Sequence, residues 1–431
     1  WVDLLDGIAS SFRNPVLDAS KRISIAEKPS DRPLNVLFCT WETPYSRHGG
    51  GVHLMNLLRG LGERHEITLV HTYGDDLQYV DEARAFVNRV VSVPRTHMRP
   101  GYCADGLLPK RFYEEYNPEL ERAIDRELST GVYDLVDFEW SIMRPLAVRK
   151  VPSVLAIDEL DYSALLNTLI ERASRRRIQV DELGELLRLF YLDVVDLPSA
   201  FDALVTLTSE DAEAILRYNG NAKVFVNEAG ATLPPSPKKG ADRKRPPSDA
   251  PEFLLVANYQ HPPNALAALF LANKVMPLVR ARIPGAKLVL AGPHAPPEIA
   301  ALESASVSLL GFVDDLSATY RRATAVMVPV FTGTGMRIKT VEALSHGRPF
   351  IGNALATRGL KPLGEEAFLV AETAEEFAAA ACRIANDDGF AAKLGKAGQN
   401  YVKNHLSVSR LVDSRDKLWA SLVESGKPGE S

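Results

Sequence analysis

The sequence from Val326 to Gly347 is Val-Met-Val-Pro-Val-Phe-Thr-Gly-Thr-Gly-Met-Arg-Ile-Lys-Thr-Val-Glu-Ala-Leu-Ser-His-Gly. The apolar, β-branched run from Ala325 to Val330 is typical of a buried parallel strand. Thr332 to Gly335 is a flexible turn, and Met336 to Ser345 has a helical period that Gly347 closes. The stretch therefore predicts a strand, a glycine turn and a helix.

A turn of this kind leaves the first amides of the helix unpaired and pointing outward, so that it can receive an anion at the positive end of the helix dipole. Arg337 and Lys339 lie in the first predicted turn, where cations oppose that dipole. A bound phosphate would turn this unfavourable interaction of the two cations with the helix dipole into a net stabilising one. The predicted phosphate-binding residues are Gly333, Thr334, Gly335, Met336, Arg337 and Lys339.

Glu342 lies three residues after Lys339 and shares a helix face with it. A carboxylate beside a phosphate-binding turn is well placed to accept hydrogen bonds from two neighbouring ribose hydroxyls. Together these groups predict a pocket for a nucleoside diphosphate. The alternative is that Lys339 and Glu342 form an ordinary exposed pair and the glycines make only a loop, and the stretch alone leaves both interpretations open.

The chain of 431 residues is long enough for two domains, each with its own core. Hydrophobic residues make up 46% of it, charged residues 24%, and the net charge is −5, as in ordinary soluble globular proteins. Such a chain lacks the positive field that a nucleic-acid binder needs. No nucleic-acid partner is expected.

Cysteine usage and the lack of long apolar runs indicate a cytoplasmic protein. Cys39, Cys103 and Cys382 are far apart and include no Cys-x-x-Cys, which is typical of reduced thiols and not of a disulfide framework or a zinc site. No apolar stretch approaches the ~20 residues of a membrane span, and the N-terminus has no signal-peptide pattern. Trp1 is not an initiator residue, so we expect the sequence to lack its native start.

Two stretches leave a peripheral contact with a membrane or an acceptor open. One is the aromatic and basic run at 99–116, and the other is the arginine cluster at 172–177. A packed surface loop and a solvated helix face are the respective alternatives.

Apolar runs alternate with helical patterns along the chain, which predicts an α/β protein with doubly wound parallel sheets. The predicted strands are 34–39, 67–72, 90–93, 133–138, 154–157, 201–207, 224–227, 253–257, 287–291, 307–310, 326–330 and 349–352. The predicted helical stretches are 52–62, 162–197, one capped by Ser209, 264–282, 316–323, 336–345 and 373–424.

The stretch from Pro234 to Pro251 is rich in proline and charge and has no large apolar residue, so it predicts a linker between two domains. The predicted organisation is an N-terminal extension at 1–33, a first Rossmann-like domain at 34–233, the linker at 234–251, a second Rossmann-like domain at 252–405 and a helical tail at 406–431.

Gly49, Gly50 and Gly51 stand between the first predicted strand and the helix predicted from Val52. Without side chains they form a second place where the backbone can approach a ligand closely. A simple loop is the alternative.

Two doubly wound domains joined by a linker resemble the GT-B fold of sugar-nucleotide glycosyltransferases, in which the domains face each other across a cleft. The motif Gly-x-Arg-x-Lys-x-x-Glu-Ala-Leu-x-x-Gly, from Gly335 to Gly347, looks like the signature of the retaining glycosyltransferases of group 1, or family 4. Val256 to Asn264, Leu290 to Gly292 and Leu310 to Val313 are similar to further landmarks of that family. The resemblance is strong from 253 to 360 and weaker in the first half.

The resemblance implies transfer of a sugar from a nucleotide-sugar donor to a glycan, lipid-linked or protein-linked acceptor, with retention, in polysaccharide or glycoconjugate biosynthesis. Arg337 and Lys339 would stabilise the leaving diphosphate, without a metal or another cofactor, because a paired Asp-x-Asp is missing. The implied donor-binding residues are Gly49, Gly50, Gly51, Asn258, His261, Gly333, Thr334, Gly335, Met336, Arg337, Lys339 and Glu342.

The sequence departs from the family pattern at two places. Thr334 stands where the family often has a first glutamate, and Ala257 with 258–261 replaces the usual glycine and basic residue. An eroded donor site would fit a binding or scaffold subunit of a glycan-assembly complex, so this alternative stays open beside transfer. An epimerase or a phosphorylase of the same fold is a third class, against which the signature argues.

The base that would activate the acceptor has several candidates. Glu139 and Asp158 each follow a predicted strand of the first domain, and ligands of open α/β sheets bind at the carboxyl ends of strands. His48 and His261 are the alternatives.

Overall fold

The computed structural model describes residues 28–45, 49–96, 109, 116–147, 151–157, 160, 162–163, 165–166, 169, 179–234, 250–332, 336–360 and 366–425. These residues form two compact units, one that runs to Glu228 and resumes at Ser409, and one that comprises Ala229–Val408. Several predicted features lie outside the described residues: His48, Cys103, Asp158, Gly333, Thr334, Gly335, the arginine cluster at 172–177, 235–249 and most of 99–116.

The first unit is built on a seven-stranded parallel sheet with the strand order β3-β2-β1-β4-β5-β6-β7. Its strands are β1 (Asn35–Thr40), β2 (Glu66–Tyr73), β3 (Arg89–Pro94), β4 (Leu135–Glu139), β5 (Ser153–Ile157), β6 (Ala203–Thr206) and β7 (Val224–Val226). Five consecutive residues of β1 are buried, as expected for a strand that is covered on both faces.

Helices follow or precede these strands in the first unit. They are α1 (Gly49–Gly62), α2 (Asp81–Arg84), α3 (Pro118–Thr130), α4 (Val180–Tyr191), α5 (Leu197–Ala200) and α6 (Ser209–Tyr218), with 3₁₀ turns at Leu77–Tyr79 and Ser141–Leu146 and a π-helical turn at Leu192–Asp196.

The second unit has a six-stranded parallel sheet with the order β10-β9-β8-β11-β12-β13. Its strands are β8 (Glu252–Val256), β9 (Lys287–Ala291), β10 (Val307–Gly311), β11 (Ala325–Val328), β12 (Phe350–Gly352) and β13 (Leu369–Val370). The remaining helices of the chain are α7 (Pro262–Phe270), α8 (Met276–Arg282), α9 (Pro297–Ala300), α10 (Ser317–Arg322), α11 (Ile338–Ser345), α12 (Ala374–Asn386), α13 (Asp388–His405) and α14 (Val408–Ser425), with a π-helical turn at Leu271–Val275. The predicted fold class, two doubly wound parallel sheets, is confirmed.

Within the ranges described above, none of the helices combines the length and the apolar character that crossing a bilayer requires.

Two helix starts differ from the prediction. Helix α1 begins at Gly49, so the three glycines form its first turn and not a loop before Val52. Burial of Gly51 and of the apolar face behind it offsets the entropy lost by ordering glycine. Helix α6 is capped by Thr208 and not by Ser209, because the extended Thr208 turns its hydroxyl toward the Asp211 amide, which donates to it at 3.1 Å.

A π-helical turn that the sequence pattern did not predict joins α4 to α5, and another joins α7 to α8. In each case, a proline stands two positions after the end of the turn: Pro198 after Leu192–Asp196, and Pro277 after Leu271–Val275. Proline lacks an N–H and its ring collides with the carbonyl four residues earlier, so a wider turn before it lets the helix continue. The prolines therefore widen these helices without ending them.

Helix α14 belongs to the first unit from Ser409 onward. Its Arg415 is fully buried and donates through Nη1 to Asp137 Oδ2 at 2.7 Å and to Glu139 Oε1 at 2.9 Å. Its Nε donates to Asn227 Oδ1 at 3.1 Å, and Trp419 Nε1 donates to Asp137 Oδ2 at 2.7 Å. A buried ionic cluster therefore joins the last helix to β4.

Candidate functional site

The predicted strand, turn and helix form at the centre of the second sheet, where β11 lies between β8 and β12. Helix α11 begins at Ile338, two residues after the predicted start at Met336, and Arg337 is its N-cap with an extended backbone (φ −91°, ψ 98°). The Arg337 side chain makes no capping bond to the helix. The first amides of α11 are thus free of a side-chain cap and stand beside two cationic side chains.

Lys339 is half-buried at this helix end. Its Nζ donates to Oδ1 of Asn264, a neutral partner, and among the described residues no carboxylate lies within ion-pair distance of it. Burial, and then the charge of Arg337, lower the Lys339 pKa to about 8. The described residues around this ammonium group therefore give it no negative partner.

Asn264 connects this lysine to the loop that follows β8. Its Nδ2 donates to the backbone carbonyl of Asn258 at 2.7 Å, and the Asn258 side chain in turn accepts from the Gln260 amide at 3.0 Å. His261 is the N-cap of α7 and makes no capping bond with its side chain. The structure thus brings Asn258 and Lys339 to the same site through a residue that the sequence analysis did not single out.

Arg337 contacts the segment that follows β11. Its Nη2 donates to the carbonyl of Thr332 at 3.1 Å, and the side chain is half-buried. Met336, which precedes it, is buried. The two predicted cations therefore stand close enough for Arg337 to lower the pKa of Lys339.

Glu342 does not pair with Lys339, so the alternative of an ordinary exposed ion pair was wrong. The carboxylate is half-buried, and burial raises its pKa to about 7, partly offset by the Tyr320 hydroxyl. Tyr320 is fully buried, and its hydroxyl approaches Glu342 without making a hydrogen bond of ordinary geometry. Lys339 and Glu342 therefore face different partners, although they are three residues apart.

Close contacts fix α11 in place. Thr340 Oγ1 donates to the Ala356 carbonyl at 2.8 Å beneath the helix. On the side of α13, a Cβ built on Gly395 would lie 2.2 Å from the Gly347 carbonyl oxygen, so only glycine allows the two helices to approach this closely. Helix α11, which carries the two cations, is thus closely packed against its neighbours.

The ends of β8 and β9 also meet tightly at this edge of the sheet. Gly292 has φ +139°, and a Cβ there would lie 1.8 Å from the Ala257 carbonyl oxygen. Ala257, where the family pattern has glycine, is buried and its amide donates to the Ala291 carbonyl at 2.9 Å. The glycine that permits close approach here is Gly292 of the neighbouring strand.

The candidates of the first unit lie at its own strand ends. Gly49, Gly50 and Gly51 are the first turn of α1, which is one of the settings in which helix amides bind anions. Glu139, the last residue of β4, is buried and paired with Arg415. Its role as a base, like that of Asp158 outside the described residues, stays a prediction.

The part of the chain that the structure describes contains no group of three or more His, Cys, Asp and Glu side chains arranged to hold a metal ion.

Residues 250–387 match the family described as glycosyl transferases group 1. The second unit carries a group 1 glycosyl transferase domain. The match spans about a third of the chain and includes Asn258, Asn264, Arg337, Lys339 and Glu342. The predicted class of enzyme, a glycosyltransferase, is confirmed, whereas no curated protein sequence matches the chain.

Solved structures resemble most of the chain that carries this glycosyl transferase domain. A sucrose-phosphate synthase from Thermosynechococcus elongatus has a TM-score of 0.68 at 16% identity, over 91% of this chain and 100% of that one. HepE of Anabaena, solved in complex with UDP, has a TM-score of 0.61 at 12% identity over 90% and 100%. WaaG, a glycosyltransferase involved in lipopolysaccharide biosynthesis, has a TM-score of 0.60 at 10% identity over 91% and 100%. At such identities the likeness shows the fold, which is GT-B with two Rossmann-like domains.

Proposed function

We propose that the glycosyl transferase domain binds a nucleotide sugar and transfers its sugar, with retention, to an acceptor held by the first unit. The observation that carries this proposal is Lys339, a half-buried ammonium group whose partner is an amide oxygen and not a carboxylate. The diphosphate of a nucleotide sugar supplies negative charge that the described residues around Lys339 do not. Support also comes from HepE, which was solved in complex with UDP-glucose.

The same cations serve the chemistry of transfer. As the anomeric bond breaks, the leaving diphosphate gains negative charge, so groups aimed at it stabilise the transition state more than the ground state. Lys339 acts from a desolvated position, where an electrostatic interaction is stronger than in water. Arg337 and the first amides of α11 act on the same phosphate. The proposed mechanism therefore needs no metal.

Glu342 binds the ribose in this proposal. Its carboxylate has given up water on burial, and two vicinal hydroxyls would replace the lost hydrogen bonds. The ionised form accepts both bonds, so binding should strengthen as the pH rises through about 7.

We base the proposed retention of configuration and the proposed class of acceptor on the resemblance of the Gly335–Gly347 motif to group 1 glycosyltransferases. Front-face attack assisted by the leaving phosphate needs no protein nucleophile, and the described residues of the site offer cations and one ribose-binding carboxylate. A glycan or a lipid-linked glycan is the proposed acceptor, in polysaccharide or glycoconjugate synthesis.

The first prediction concerns Glu342→Ala, which we expect to weaken binding of the nucleoside diphosphate by about 10- to 100-fold, as for loss of one partner of a charged hydrogen bond. Calorimetric titration of UDP, GDP and ADP identifies the base and gives the dissociation constants. Glu298→Ala, an exposed glutamate of the same domain, is the matched control and should change nothing.

The 2′-deoxy form of the nucleotide that binds gives a sharper version of this test. It should bind the parent protein more weakly than the ribonucleotide does, and the difference should disappear in Glu342→Ala. An unchanged affinity for the ribonucleotide in Glu342→Ala would remove this residue from the site. Binding of a nucleotide sugar without any transfer or hydrolysis would favour the scaffold function.

A second prediction is that transfer does not require a divalent metal. Release of nucleoside diphosphate from the donor should continue at an unchanged rate in excess EDTA, because Arg337 and Lys339 balance the charge of the leaving group. Activity that collapses in EDTA and returns with Mg²⁺ or Mn²⁺ would contradict the role given to these two cations.

A further inference from the structure

A buried tyrosine lies behind the proposed ribose-binding carboxylate. Tyr320 comes from α10, the helix before β11, whereas Glu342 comes from α11, the helix after it. Tyr320 has no exposed surface, and its ring stacks on His346 with centroids 4.3 Å apart and planes 16° apart. The stacked imidazole fixes the plane of the phenol ring.

The hydroxyl of this tyrosine is buried, and among the described residues it has no hydrogen bond of ordinary geometry. Such a group disfavours the folded state, and a phenylalanine would fill the same space. Glu342 is the polar group that it influences. The hydroxyl lies close enough to the carboxylate to lower the Glu342 pKa, so Glu342 is the acceptor within its reach.

We propose that Tyr320 is a positioning residue, whose hydroxyl donates to the Glu342 carboxylate already in the ligand-free protein and holds its oxygens toward the ribose when the nucleotide binds. This inference rests on the proposed function for the identity of the ligand. His346 acts indirectly, because it holds the Tyr320 ring. A carboxylate that the Tyr320 hydroxyl already holds in place loses less conformational entropy when it binds the two ribose hydroxyls.

The charged surroundings of Glu342 are simple enough for a pH test. Among the described residues, and apart from burial, Tyr320 is the group that shifts the pKa of Glu342, and it shifts it downward. Arg337 acts on Lys339, while Asp315, Arg321 and Arg348 act on His346, whose own pKa burial lowers to about 4. His346 is therefore neutral near pH 7 and does not titrate together with Glu342.

The deciding experiment is a ¹³C NMR titration of the Glu342 carboxyl group in the ligand-free protein, with Glu342→Gln to assign the signal. Tyr320→Phe should raise the midpoint by about one pH unit, because it removes a donor to the charged form. Tyr259→Phe is the matched control: that tyrosine is also buried in the second unit, but its hydroxyl donates to the Leu255 carbonyl at 3.2 Å. An unmoved midpoint in Tyr320→Phe would overturn the proposal.

A second experiment uses the nucleoside diphosphate that the calorimetric titrations with UDP, GDP and ADP identify. Tyr320→Phe should weaken its binding about 5- to 30-fold at pH 7 and should have no further effect in a Glu342→Gln background. An equal loss in both backgrounds would mean that Tyr320 supports only the fold. If no nucleotide binds the parent protein, the proposed function fails, and the NMR arm still decides whether Tyr320 acts on Glu342.

Discussion

Replacing Lys339 with Met should lower kcat/KM for donor turnover by about 100- to 1,000-fold, the usual effect of removing one group that stabilises developing negative charge. Met keeps the length and the apolar stem of the side chain, so the ammonium charge is the main loss. The assay is release of nucleoside diphosphate from the nucleotide sugar, which does not depend on knowing the acceptor. Most of the loss should fall on kcat, because the diphosphate gains charge in the transition state.

The same substitution should make the ligand-free protein more stable. The fold lowers the Lys339 pKa from 10.5 to about 8, so it disfavours the charged form. That cost is fully present below about pH 8 and disappears as the pH rises toward 10.5. Lys339→Met should therefore gain about 1–3 kcal/mol of unfolding free energy at pH 7, and less of it at pH 10.

Loss of activity together with a gain in stability separates this variant from one that is merely damaged. Lys274→Met, which replaces an exposed lysine of the same unit, is the control and should change neither quantity. Full activity in Lys339→Met would contradict the phosphate site, and a loss of stability at pH 7 would contradict the electrostatic account of it.

The layout of the second unit was readable from the sequence, because parallel strands buried on both faces leave short apolar runs between helical patterns. The predicted strand at 287–291 agrees with β9 at both ends. The π-helical turns before Pro198 and Pro277 were not predicted, since hydrophobic periodicity does not reveal one extra residue in a turn.

The sequence predicted those residues of the candidate site that lie together in one short stretch. Arg337, Lys339 and Glu342 share one motif, and their spacing predicted a common helix end. Asn264 and Tyr320 were missed because each reaches its partner from another element, across 75 residues for Asn264 and Lys339. The Lys339 and Glu342 side chains point to different partners, which the i, i+3 spacing alone did not predict.

The sequence pattern also did not predict the contact of the last helix with the rest of the first unit. Breaking this contact gives the largest stability effect that we expect. Arg415→Met should lower the unfolding free energy of the first unit by about 3–5 kcal/mol, as for loss of one partner of a buried ion pair. Asp137 and Glu139 would then be buried without their guanidinium. Urea unfolding followed by tryptophan fluorescence measures the loss, because Trp419 donates to Asp137 in the same cluster. Arg410→Met, an exposed arginine of the same helix, is the control.

The pH dependence of this loss tests its electrostatic origin. Burial already raises the pKa of Asp137 against the opposing effect of Arg415, and removing the arginine would raise it further. A folded state that binds protons more tightly than the unfolded state loses stability as the pH rises, so the deficit of Arg415→Met should be larger at pH 8 than at pH 5. Adding Asp137→Asn should return part of the stability at pH 8, because a neutral amide is easier to bury than a carboxylate that has lost its guanidinium partner. A deficit that is equal at both pH values, and that Asp137→Asn does not reduce, would mean that Arg415 holds helix α14 by packing and not by charge.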